Sequence, residues 1–300
     1  MKTPHVLVIG SINTDLVCYS ERIPHVGETV MGSRFTTVPG GKGANQAMAA
    51  SRLGAQVSFI GAVGKDSYGR EMLQYFQNNH LQTTYIKEVN DSTGVALINV
   101  DGAGNNQIVV VPGANYKLDP ADLEASQEAF AGCDVVVLQL EVPLETVGKA
   151  IELAKRFGKP VILNPAPAQS IPDEWLSQID YLVPNEHEAL LLGGEPEDCF
   201  EKLYHKINGT LIVTLGDKGL LFIDKEGSRS LPAFEVKPVD TTAAGDAFVG
   251  GFSVALAEGR PISEALRFAS ATAALSVTRS GAQTSLPQRN EVLEFLEEHS

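Results

Sequence analysis

The sequence predicts an α/β fold: a doubly wound, mostly parallel sheet flanked by helices on both faces, with a small β-sheet lid beside it. Three observations predict it. Short β-branched runs are apolar throughout rather than alternating, as strands covered on both faces must be. Amphipathic segments of helical period separate them. Two segments, 16–38 and 94–112, break the alternation because neither contains a helix to cover its strand formers.

In chain order the main rhythm begins with VLVIG (6–10), a helix near 43–53, QVSFIGAVG (56–64) and a helix near 67–79. It continues through DVVVLQLE (134–141), a helix at 144–157, PVILNPA (160–166), YLVPN (181–185), TLIVTLG (210–216) and GLLFID (219–224). Helices near 245–258, 261–278 and 287–298 close it. The exceptional segments read differently. Residues 16–38 mix strand formers with IPHVGE, and GVALINVDGAGNNQIVVVP (94–112) reads as a hairpin around a Gly/Asn-rich turn. Together they form the expected lid, which closes over a ligand or pairs with its copy in a homodimer to protect its edges. The main α/β domain then comprises residues 1–15, 39–93 and 113–300.

Composition narrows the partners. Three hundred residues at 43% hydrophobic bury a sizeable core. A formal charge of −14 and a pI near 4.9 weigh against nucleic acid and anionic membranes. Cys18, Cys133 and Cys199 are odd in number and scattered, and are expected as buried thiols in a reducing compartment. The start, MKTPHVLVIGS, offers only a short apolar run with Pro4 before it, unlike a signal peptide, and no segment reaches the ~18 apolar residues of a membrane span. A cytoplasmic protein is expected. The six histidines have no metal or base spacing and are expected at the surface.

Polar residues collect at the ends of the strands: Asn13 and Asp15, then Glu141, Asn164, Asn185 and the turn residue Gly216. Singly, each is an ordinary turn residue. Together they form a polar rim where this fold places its ligand crevice. PGGKGANQA (39–47) lacks the glycine spacing of a Walker A loop, and no G-x-G-x-x-G follows the first strand. Its glycines suit either a flexible turn or close backbone approach to a ligand at a helix start, with Lys42 and Asn45 as donors for hydroxyls. In NEHE (185–188), Glu188 suits the helix dipole and equally the outer shell of a magnesium ion. VTLGDKG (213–219) is a hairpin whose exposed backbone can line a nucleotide slot. DTTAAGDAFVGGF (240–252) strips away side chains before a carboxylate. Asp246 there reads as a helix N-cap, or as an acid working beside an anion held by free amides.

The chain resembles the ribokinase-like carbohydrate kinases along nearly its whole length. The resemblance rests on GGKGANQAMAASRLG (40–54) and DTTAAGDAFVGG (240–251), supported by the NxxE element at 185–188 and NPAPA at 164–168. GSINTD (10–15) and LQLE (138–141), with Ala243 where many relatives carry glycine, resemble the ribose-acting branch most; deoxyribose kinases differ around Asn13–Asp15. The resemblance implies transfer of the γ-phosphoryl group of ATP to the 5-hydroxyl of D-ribose. It implies that Asn13, Asp15, Gly41, Lys42, Asn45 and Glu141 hold the sugar, and that Asn185, Thr214, Gly216, Gly219 and Gly245 lie along ATP. Glu188 would organise the Mg²⁺ shell. Asp240, Thr242, Ser276, Arg279, Gly281 and Ser285 match the positions of a monovalent-cation site, usually K⁺. The amides of Ala243, Ala244, Gly245 and Asp246 would then stabilise the travelling phosphoryl group, with Asp246 as general base. A sister kinase for deoxyribose, another sugar or a nucleoside is the nearest alternative, and a sugar-binding regulator without activity is a more distant one.

Overall fold

The computed structural model describes residues 2–194 and 197–299. The chain opens with β1 (His5–Ile9), β2 (Asn13–Ser20), β3 (Gly32–Gly40), α1 (Lys42–Arg52), β4 (Gln56–Gly64) and α2 (Ser67–Asn78). Next come β5 (Ile86–Val89), β6 (Gly94–Val100), β7 (Asn106–Val111), α3 (Pro120–Ala125), α4 (Gln127–Gly132), β8 (Val135–Leu138) and α5 (Leu144–Arg156). The run continues with β9 (Val161–Leu163), α6 (Asp173–Leu176), β10 (Tyr181–Leu182), α7 (Glu186–Gly193), α8 (Cys199–Tyr204) and β11 (Thr210–Thr214). It ends with β12 (Leu220–Asp224), β13 (Gly227–Leu231), α9 (Ala244–Ala257), α10 (Ile262–Val277) and α11 (Arg289–Glu298).

The large sheet has the order β13-β12-β11-β10-β9-β8-β1-β4-β5. It is parallel from β11 to β5, with β12 and β13 antiparallel at one edge. Successive side chains of a strand face opposite sides. Val6 and Val8 of β1 therefore enter the core beneath α1, α9 and α10, among Met48, Phe252 and Phe268. Leu7 and Ile9 enter the other core, with Leu138, Val147 and Ile151 under α5. Both faces are apolar because both are roofed, which is why these strands do not alternate in sequence.

The small sheet has the order β3-β2-β6-β7, and β2 pairs with β3 antiparallel and with β6 parallel. Asn13 and Asp15 belong to β2 itself, opposite Gly40 and Val38, and not to the tail of β1. The strand runs straight off the core into the small sheet. Elsewhere the sequence overestimates strand length: β8, β9 and β10 stop at Leu138, Leu163 and Leu182, and the polar residues beyond them leave the ladder.

Two expectations need correction. Cys133 and Cys199 are buried free thiols, but Cys18 is only half-buried, because β2 belongs to the thin small sheet. His5 is half-buried and not a surface group: its ring contacts the Gly132 carbonyl and the Ser58 hydroxyl at 2.9 Å each. Burial lowers its pKa, outweighing the backbone bond and Asp134. No helix among the described residues is long and apolar enough to cross a membrane.

Candidate active site

The tip of α9 explains the small residues before Asp246. The helix begins at Ala244, and its N-cap, Ala243, sits in the left-handed region at φ 59° with no side-chain capping bond. That conformation costs an L-residue roughly 1 kcal/mol and turns the preceding backbone sharply. The Ala244 amide donates to the Thr241 carbonyl at 3.2 Å; among the described residues no acceptor in the chain reaches the amides of Ala243, Gly245 or Asp246. A Cβ on Gly245 would meet nothing within 4 Å. The helix therefore ends in bare donors facing open space, reinforced by the positive end of its dipole.

Asp246 is not the cap. It lies in the first turn, buried to 6% exposure, and its side chain points toward α1. Asn45 Nδ2 donates to its Oδ2 and Gln46 Nε2 to its Oδ1, both at 2.9 Å. This meeting depends on close packing of α1 on α9: a Cβ on Gly250 would overlap that of Ala49 and approach the Gln46 carbonyl. Burial pushes the Asp246 carboxyl above its ordinary value, against the opposing pull of Lys42, Asn45 and Gln46. Burial alone would lower Lys42; the charges of Asp246, Glu141 and Glu188 outweigh it and raise the ammonium pKa. Burial likewise raises Glu188, more than the Asn185 amide and Lys42 lower it.

A cavity of about 200 Å³ opens above Asp246. Lys42, Asn185, Glu188, Thr214 and the stretch Ala243 to Asp246 all line it. Of the residues expected to hold sugar, Lys42 and Asp246 are in that lining, whereas Asn13, Asp15, Gly41, Asn45 and Glu141 are not. Asp15, pushed up to about 7 by burial and then by Glu141 and Asp246, lies against Gly40. Glu141 Oε2 accepts from the Ser11 hydroxyl at 2.5 Å and from the Lys42 amide at 3.0 Å. Gly41, at φ 88°, caps α1, and a Cβ there would press on the Asn13 amide at 2.7 Å. Asn13 Oδ1 is taken by Asn115 Nδ2 at 2.8 Å, while Asn45 is engaged by Asp246 and Gln283.

Asn185 and Thr214, both in the lining, form a parallel bridge. Asn185 caps α7 through a capping box, in which Glu188 Oε2 accepts from the Asn185 amide at 2.9 Å. Gly216 and Gly219, at φ 61° and 95°, turn the chain from β11 into β12. Further along, Asp240 joins two loops, accepting from the Thr242 amide at 2.9 Å and the Gly281 amide at 2.8 Å. Burial raises its pKa, but these bonds prevail and hold it below the ordinary value. The Arg279 side chain is turned away to Glu291 at 2.5 Å. The hydroxyls of Ser276 and Ser285 donate to the Ala273 and Ala282 carbonyls, each at 2.8 Å, and no bond ties them to Asp240.

Several polar residues around the site had no assigned part in the sequence. Asn115 anchors the β1–β2 turn by accepting from the Ile12 amide at 2.8 Å and donating to its carbonyl at 3.1 Å. Ser11, Gln46 and Gln139 lie inside the sequence motifs, and Asn164 belongs to the polar rim. Nothing in the sequence signals Asn115 or Gln283, which reach the site from short 3-10 turns at Gly113–Lys117 and Gln283–Ser285.

Bare amides and a buried carboxylate opening into one cavity suit a phosphoryl group in transit to an alcohol. The fold and the site are those of a small-molecule kinase. A family model described as pfkB family carbohydrate kinase matches residues 3–289, and the chain belongs to that family. It is 45% identical over 293 residues to the ribokinase of Bacillus subtilis (strain 168), covering 97% of this chain and 99% of that protein. It is 38% identical over 300 residues to the deoxyribokinase of Salmonella typhi, covering 97% and 98%. The solved ribokinase of Arabidopsis thaliana, complexed with ribose and ATP, superimposes with a TM-score of 0.90 at 34% identity, covering 99% of each chain.

Proposed function

We propose that the chain phosphorylates D-ribose at O5 with ATP, giving D-ribose 5-phosphate and ADP. The observation that carries the reading is the tip of α9, where unbonded amides and the buried Asp246 open into the same cavity. The two ribokinases named above support ribose as the sugar. Asn13, Asp15, Gly41, Lys42, Asn45 and Glu141 hold its hydroxyls, and Asn185, Thr214, Gly216, Gly219 and Gly245 line the nucleotide. Asp246 accepts the proton of the attacking hydroxyl, while the free amides of Ala243, Gly245 and Asp246 take up the charge that spreads over the phosphoryl oxygens. The ammonium of Lys42 beside Asp246 and Glu141 keeps the pocket from becoming purely anionic.

Among the described residues no three His, Cys, Asp or Glu side chains form a metal cage. Glu188, whose side chain lines the cavity, would be the outer partner of a Mg²⁺ ion, which would supply neutralisation of phosphate charge. Asp240, Thr242, Ser276, Arg279, Gly281 and Ser285 would hold a monovalent cation such as K⁺, several of them through backbone carbonyls, and the Asp240 carboxylate, which accepts from the Thr242 and Gly281 amides, would supply the charge. The small sheet serves as lid and dimer contact: Leu97 and Val109 on one face, and Ile108 and Val110 on the other, leave apolar surface about half exposed that a second copy would cover. Three free thiols fit a reducing cytoplasm.

The test is kcat/KM over a panel of pentoses, hexoses and nucleosides, with and without potassium. Ribose is expected to lead by at least about tenfold. The deoxyribokinase relative makes 2-deoxyribose the specific rival, and its leading the panel would replace ribose. No ADP formed with any sugar would leave only a binding role.

A further inference from the structure

We infer that Gln46 is a positioning residue for Asp246: it holds Oδ1 as a permanent hydrogen-bond acceptor and leaves Oδ2 as the oxygen that receives the proton. The inference rests on the reading of Asp246 as the base. It follows from the direction of a chain of buried amides.

The chain starts at a group that can only accept, the backbone carbonyl of Val183. Asn164 Nδ2 donates to it at 2.9 Å, so Asn164 must present Oδ1 to its other neighbour. That neighbour is Gln46, whose Nε2 donates to Asn164 Oδ1 at 3.1 Å and to Asp246 Oδ1 at 2.9 Å. Gln46 Oε1 in turn accepts from Gln139 Nε2, and the free Gln139 Oε1 packs against Gly10, which has no side chain to obstruct it. Gln46 and Gln139 are exposed by 1% and 0%, so water does not compete. Turning the Gln46 amide over would set oxygen against oxygen at both Asn164 and Asp246. Its polarity is locked.

The second arm has no such anchor. Asn45 Nδ2 donates to Asp246 Oδ2 at 2.9 Å, Gln283 Nε2 donates to Asn45 Oδ1 at 3.0 Å, and the arm ends at Gln283 Oε1, buried with no partner among the described residues. If Oδ2 gains a proton, both amides can turn over together. The new O–H then donates to Asn45 Oδ1, and Asn45 Nδ2 donates to Gln283 Oε1, satisfying the orphaned oxygen. In the reaction the sugar O–H bond breaks and its proton goes to Oδ2. The alcohol's electron pair forms the new O–P bond, and the pair of the broken P–O bond leaves with ADP.

The charged groups around Asp246 are Lys42, which favours its ionised form, and Glu141, Glu188 and Asp15, which share the buried site. Against that background the Gln46 bond favours ionisation, so its loss must raise the pH needed for turnover. Two variants read this out: Gln46→Leu, which removes the donor, and Gln46→Glu, which keeps the side-chain shape but offers acceptors. Both are expected to lower kcat by ~10- to 100-fold. Sugar and ATP KM stay within about threefold, and the acid limb of the kcat/KM profile moves up by about one pH unit. Melting temperature is measured alongside; if either single variant does not fold, the paired Gln46→Met and Gln139→Met change, which removes two facing amides together, takes its place. Folded variants with unchanged kcat and an unmoved limb overturn the inference. So does lost activity with an unmoved limb and weakened ATP binding, which marks a purely structural role. Asp246→Asn in the same assay separates the two levels: if it stays active, the base reading itself fails, and if it is inactive while the Gln46 variants match wild type, only the positioning role falls.

Discussion

Gly40 leaves the space that Asp15 occupies: a Cβ built on Gly40, on β3, would overlap both oxygens of the Asp15 carboxylate on the paired strand β2. The carboxylate is half-buried and packed against β3, so it has few other places to go. Gly40→Ala is therefore expected to raise the sugar KM at least about tenfold while leaving the ATP KM nearly unchanged. Steady-state kinetics with each substrate varied in turn decide this, and equal rises in both constants would count against Asp15 as a sugar ligand.

Asp15 also ties sugar binding to pH. Its carboxyl is pushed up to about 7 in the folded chain but is ordinary when unfolded, so the folded state holds the proton more tightly. Stability consequently falls as pH rises from the ordinary carboxylate range toward 7. The ionised form, needed to accept hydroxyl hydrogen bonds, fills over the upper part of that window. Sugar KM should fall between about pH 6 and pH 8, and Asp15→Asn should stabilise the unliganded protein at pH 8 by on the order of 1 kcal/mol while binding sugar poorly. A sugar KM flat across that range, or a destabilised variant, contradicts the assignment.

Asp246→Asn removes the proton acceptor but keeps the size of a buried side chain. Turnover is expected to fall by ~10²–10⁴-fold with ATP binding intact. The melting temperature should not drop, because ionising a buried carboxyl opposes folding. Retention of more than about a tenth of the wild-type rate is incompatible with the base role.

Gly245 and Gly250 share a helix but should respond in opposite ways. A Cβ on Gly245 meets open space, so Gly245→Ala is expected to gain up to ~1 kcal/mol of helix propensity while its methyl group crowds the phosphate position and lowers kcat. A Cβ on Gly250 meets Ala49 and α1, so Gly250→Ala is expected to cost ~1–3 kcal/mol by overpacking. Chemical denaturation of both variants beside their kinetics gives the comparison; a stable, fully active Gly245→Ala would remove the need for bare backbone at that point.

Much of this was legible in the chain. Strands such as VLVIG, apolar on both faces, announce a roofed parallel sheet, because burial on two sides is written residue by residue. The small residues before Asp246 announce a helix tip without side chains, because the demand for free amides is also local. Less legible were the ends of β8, β9 and β10, where polar residues follow apolar ones without a break in pattern. Nor could the sequence place Asp15 on the small sheet, since nothing between Ile9 and Asn13 says which sheet the strand joins.

By itself, then, the sequence determined the layered fold and the two glycine-rich segments from which the site is built. Those features depend on periodicity and backbone freedom, which neighbouring residues report. Only the tertiary structure decided that Gln46 meets Asp246 through Oδ1, that the Val183 carbonyl sets the direction of that bond, and that Gln283 stands behind Asn45. Such contacts join residues from distant parts of the chain, and they exist because α1 and α9 pack closely at Gly250. Side-chain hydrogen bonds carry direction as well as distance, and no local pattern encodes either.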